Sequence, residues 1–98
     1  MRIRPATDRE RARAHTSRTA SLSARLTPAQ ISAKLGGILP DDLAANGNGD
    51  GKVTLEWVVV IGGVLCAIWD YKGARWSMCD PRGQLAALFG ADAGGMWG

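Results

Sequence analysis

In the stretch "NGNGDGKVTLEW", residues 46–57, oxygen-bearing side chains recur at every second position: Asn46, Asn48 and Asp50. Gly51 follows as a sharp turn, the Lys52 carbonyl and the Thr54 hydroxyl continue the alternation, and Glu56 adds a carboxylate. Oxygens so spaced can wrap one hard cation, and calcium is the cation that accepts such a mixture of amide, carboxylate and carbonyl ligands. The charge available is small, because Trp57 closes the stretch where a bidentate carboxylate is needed. Calcium is therefore the one cofactor the sequence suggests, as a weak, millimolar-class ligand. A plain Gly/Asn turn capping the next element uses the same residues, since both types tolerate positive φ.

Other chemistry-bearing residues are sparse. Cys66 and Cys79 stand thirteen residues apart with no CxxC, and the single histidine, His15, is distant from both. That excludes a zinc pattern and gives no Cys/His or Ser/His constellation, so no enzyme is expected. Over its twelve residues, "NGNGDGKVTLEW" resembles the calcium loop of EF-hand and dockerin proteins. Asn46, Asn48 and Asp50 match positions 1, 3 and 5, Gly51 position 6, Lys52 position 7 and Thr54 position 9. The resemblance departs at position 1, which is Asn, and at position 12, which is Trp57 with Glu56 one residue early.

The charge is uneven along the 98 residues. Residues 1–25 carry Arg2, Arg4, Arg9, Arg11, Arg13, Arg18 and Arg25 against Asp8 and Glu10, whereas residues 26–98 carry more acids than bases. The first segment has no apolar period and no hydrophobic run of a secretory signal, and it reads as a basic irregular arm. Its seven arginines suit an organellar targeting segment, contact with nucleic acid or anionic lipid, or a solvated tail. The boundary expected is thus an arm over 1–25 and a small domain over 26–98.

Within that domain, Thr27, Pro28 and Gln30 spell a capped helix start, with Leu26 and Ile31 as a hydrophobic staple and Gly36 as the stop. "ILPDDLAA" reads as a further helical turn, and "DPRGQLAALFG" as another helix with Asp80 as N-cap and Gly90 as stop. The dominant signal is "WVVVIGGVLCAIW", residues 57–69, which has no charge. Gly62-Gly63 would suit a two-residue turn between strands over 53–61 and 64–71. A helical projection instead places Glu56, Val59, Gly63, Cys66, Ala67 and Asp70 on one side and the large apolar residues on the other, and it favours a helix.

The helical reading gives a mainly α fold: short capped helices around one hydrophobic, transmembrane helix over about 53–71. Lys52, Trp57, Trp69, Tyr71 and Lys72 would then sit at the membrane interface, and Val59, Gly62, Gly63, Cys66 and Ala67 would form the small-residue face against a partner helix. The function that follows is a non-catalytic accessory or structural subunit of a larger membrane assembly, in a membrane of an organelle such as the mitochondrion or plastid. Its partners would be other subunits and lipid. The alternatives are a structural or cement protein of a virion or other particle, with nucleic acid on the arginines, and a weak calcium-binding module.

Overall fold

The computed structural model describes residues 2–13, 20–42, 55–71 and 75–94. In these residues the apolar run is a pair of antiparallel strands, β4 (Leu55–Ile61) and β5 (Val64–Tyr71), in register from Glu56 opposite Trp69 to Ile61 opposite Val64. Gly62 and Gly63 form the connection with φ of 56° and 83°, the paired positive values that a two-residue primed turn demands. The expected helix over 53–71 is thereby corrected to a β-hairpin, and the mainly α fold class to a small antiparallel sheet with short helices.

Around the hairpin lie β1 (Ile3–Pro5), β2 (Ala20–Leu22), β3 (Asp41–Asp42), β6 (Arg75–Cys79) and β7 (Ala93–Gly94). Their order across the sheet is β1-β4-β5-β6-β2-β7, with β3 pairing the start of β4 beyond β1, and every pairing is antiparallel. The irregular arm expected over residues 1–25 therefore contributes two strands: Arg4 pairs with Val60, and Ser21 with Ser77. Between them stands the helix α1 (Asp8–Arg13). No described helix is long and apolar enough to cross a membrane, which overturns membrane anchoring and localisation through a helix at 53–71.

The hairpin is hydrophobic on both faces because both are covered. Trp57, Val59, Ile61, Cys66, Ile68, Trp76 and Met78 point into the main core. There they meet Ile31 and Leu35 at helix α2 (Pro28–Lys34), and Leu85 and Phe89 of helix α3 (Gln84–Phe89). On the opposite face Val58, Val60, Ala67 and Trp69 bury themselves with Ala6, and Leu65 and Cys79 pack against them. A strand covered on both sides has no polar alternate positions, so its period of two is invisible in hydropathy. The helical projection had only residue size to sort.

β1, β2 and β3 are mutually parallel by the pairing order. Ile31 and Leu35, between β2 and β3, pack on the main-core face, and Ala6, just after β1, on the other. α2 begins as the sequence indicates: Gln30 N–H donates to Thr27 Oγ1 at 3.2 Å and Thr27 N–H to Gln30 Oε1 at 2.8 Å. α3 begins later than expected, at Gln84, yet Asp80 still caps it by accepting from Leu85 N–H and Ala86 N–H, each at 2.9 Å. "ILPDDLAA" does not open as a helix, since Asp41 and Asp42 pair with Glu56 and Leu55.

Candidate functional site

β1 fixes the first arginines on the rim of the sheet. Its register against β4 sets Arg4 opposite Val60, and Gly62 N–H donates to Arg2 O at 2.9 Å. The chain then turns into α1 through a second capping box: Glu10 N–H donates to Thr7 Oγ1 at 3.2 Å, and Thr7 N–H donates to Glu10 Oε1 at 2.8 Å. The Arg4 guanidinium reaches the same carboxylate with two parallel hydrogen bonds of 2.8 Å, a bidentate fork. Arg4 first, and then the Thr7 backbone N–H, hold the Glu10 carboxyl down to about 2. Arg11, one residue further, pairs with Asp41 and so ties α1 to β3.

With Arg4 and Arg11 engaged, Arg2, Arg9 and Arg13 stand exposed and outside any ion pair among the described residues. Arg9 and Arg13 are four apart on α1 and lie on one side of it. Arg4 keeps 45% of its side chain exposed, but its charge is paired with Glu10. Arg25 is exposed in the turn before α2, and Arg18 lies outside the described residues.

Four carboxylates are engaged within the fold, while Asp8 and Asp42 are exposed. Glu10 is held by Arg4 and Thr7, Asp41 by Arg11, and Asp70 Oδ1 accepts from Leu55 N–H at 2.9 Å inside the sheet. Asp80 is given to the start of α3. Residues 2–13 thus carry five arginines against Asp8 and Glu10, and three of the arginines, Arg2, Arg9 and Arg13, are exposed without an ion pair among the described residues. Such a rim creates a field that attracts polyanions.

Of the expected metal ligands, Asn46, Asn48, Asp50, Lys52 and Thr54 lie outside the described residues. Glu56 belongs to β4 on the face of Val58 and Val60, half-buried opposite Trp69, where burial raises its carboxyl and Arg11 partly opposes the rise. Among the described residues no three His, Cys, Asp or Glu side chains gather as metal ligands would.

The residues expected to pack a helix face are separated. Val59 and Cys66 enter the main core, Ala67 the opposite face, and Gly62 and Gly63 make the turn. The interface aromatics are likewise redistributed: Trp57 is in the main core with an edge-to-face contact to Trp76 at 5.4 Å, and Trp69 is buried on the other side. Tyr71 ends β5, and Lys52 and Lys72 lie outside the described residues. Cys66 is a free buried thiol pushed up to about 12, chiefly by burial and then by the nearby Asp80 charge, so it stays protonated and unreactive near neutrality.

The capping box of α1 was present in the sequence as Thr7-x-x-Glu10 but has no apolar run behind it, which is why only the net charge of that segment stood out. No family model matches the chain, and comparisons with curated proteins and with solved structures give no match either.

Proposed function

We propose that the protein is a non-catalytic structural or accessory subunit of a larger assembly, and that it contacts nucleic acid through the arginine rim of β1 and α1. The observation that carries this reading is the division of charge: Arg2, Arg9 and Arg13 are exposed, whereas Glu10, Asp41, Asp70 and Asp80 are bound within the fold. Arginines held on a helix and a sheet edge need no further ordering of the backbone when they meet a phosphate backbone. They gain counterion release, which is independent of base sequence.

Fluorescence anisotropy of a labelled DNA duplex titrated with the full chain tests the reading. The double substitution Arg9→Gln and Arg13→Gln is expected to weaken binding to every duplex sequence alike and to flatten the salt dependence. Equal affinity of the double variant and the parent, or no binding at low salt, would remove the proposal.

A further inference from the structure

The open part of the sheet edge lies far along the chain from the arginines, where β6 parts from β5. On β4, Val58 O accepts from Ala6 N–H at 3.0 Å and Gly62 N–H donates to Arg2 O, so even-numbered residues of β4 direct their backbone groups to β1. The odd-numbered ones address β5. With Ile61 opposite Val64, the even-numbered residues of β5 bond back to β4, and Leu65, Ala67 and Trp69 turn theirs to the β6 side. There Trp69 faces Ser77 and Ala67 faces Cys79. Continuing that register by two would put Pro81 opposite Leu65.

Pro81 has no N–H to give, and the pairing stops at Cys79. No described residue supplies a hydrogen bond to the Leu65 backbone N–H or C=O. In place of the missing strand is a groove of about 400 Å³, lined by Leu65, Ala67, Cys79, Pro81 and Arg82 among others. Its walls are mainly apolar, Arg82 is exposed, and no carboxylate pairs with that guanidinium among the described residues.

We propose that this groove binds the C-terminal end of a partner polypeptide in extended form. One backbone unit of the partner completes the ladder at Leu65, its terminal apolar side chain rests against Ala67 and Cys79, and its carboxylate meets Arg82. The dimensions favour a chain end over a passing strand. The free edge runs only from Val64 to Cys66 before Cys79 takes over, roughly 10 Å of strand. An internal strand would gain a single backbone pair there, whereas a terminus adds the charge that the single cation needs. The thiols beside the groove stay protonated, chiefly through burial, and the carboxylate that acts on both of them, Asp80, is engaged by the Leu85 and Ala86 N–H groups, so Arg82 is the charge left to the incoming carboxylate.

The test is a titration of the ¹⁵N-labelled full chain with an acetylated tetrapeptide of alternating threonine and valine bearing a free terminal carboxylate. Saturable shifts of the Leu65 and Ala67 amides are expected. The same peptide as a terminal amide is expected to bind about tenfold more weakly, the loss of one charge-assisted contact. Arg82→Gln should bring the two peptides to equal affinity. Methylating the last peptide nitrogen, which leaves the protein untouched, should abolish the Leu65 shift. An unmoved Leu65 amide at millimolar peptide, equal binding of acid and amide by the parent, or full binding of the methylated peptide would each overturn the proposal. It stands or falls separately from nucleic-acid binding, because no residue is shared with the arginine rim.

Discussion

Replacing Trp57 with Phe tests whether residues 55–71 are held as a buried hairpin. Trp57 is 1% exposed, and its indole N–H donates to Ser32 Oγ at 3.1 Å and to Ile38 O at 3.2 Å, joining β4 to α2 and to the chain after it. Phe fills most of the space but has no donor. Leaving buried acceptors unmet costs about 1–3 kcal/mol. The smaller ring also forfeits part of the edge-to-face contact with Trp76, itself worth about 0.5–1.5 kcal/mol. The sum is about 2–4 kcal/mol, a large part of the stability of a domain this size. At about 4–8 °C per kcal/mol, the melting temperature should fall by about 8–32 °C. Thermal unfolding followed by far-ultraviolet circular dichroism reads this, with Ser32→Ala as the milder partner because Ile38 O remains available. A fall below about 4 °C for Trp57→Phe would refute the buried contact.

Further outcomes follow from other parts of the fold. Gly63→Val should destabilise by about 1–2 kcal/mol because the turn holds φ of 83°, although a side chain there meets open space, and Gly63→Asn should cost less; urea unfolding midpoints in the opposite order would contradict the primed turn. Glu10 should titrate near 2 by NMR. Its depressed value means that its capping contribution is complete above the ordinary carboxylate range and is lost as pH falls through about 2, so a midpoint near 4.5 would show that the fork to Arg4 is not formed. Glu56 behaves with the opposite sign: its raised value makes the native state bind more protons, so its contribution weakens stability as pH rises from the ordinary range through the raised value. Glu56→Gln should flatten that slope, as seen in urea midpoints at acidic and neutral pH, and an unchanged slope would count against its burial. Cys66 should resist alkylation at neutral pH until urea is added, and rapid labelling of the native protein at Cys66 would contradict its position in the core.

How far the sequence discloses this fold depends on whether local chemistry or distant partners decide each element. α2 was legible because Thr27, Pro28, Gln30 and the following glycines act within one turn of chain. The Gly62-Gly63 turn was legible too, as the alternative to a helix. A hairpin here carries a second apolar face, Val58, Val60 and Trp69 beside Glu56, and those apolar residues are buried together on it. Only a covered face makes such an arrangement stable, and the N-terminal segment contributes Ala6 to this one. That segment lacks periodicity because its strands are three residues long and pair with β4 and β6, far along the chain. At the arginine rim, composition disclosed the charge, while the split between paired Arg4 and Arg11 and exposed Arg2, Arg9 and Arg13 needed the fold. The open edge at Leu65 was beyond reach, since it depends on the β5-β6 pairing ending at Cys79.

The salt dependence of duplex binding tests the functional reading most directly. Three exposed arginines meeting phosphates predict a slope of log affinity against log salt near −2.7, which is about a 40-fold loss between about 50 and 200 mM salt. The same slope for duplexes of unrelated sequence is expected. A slope near zero, or binding that survives high salt unchanged, would contradict an interface built on the arginines of β1 and α1.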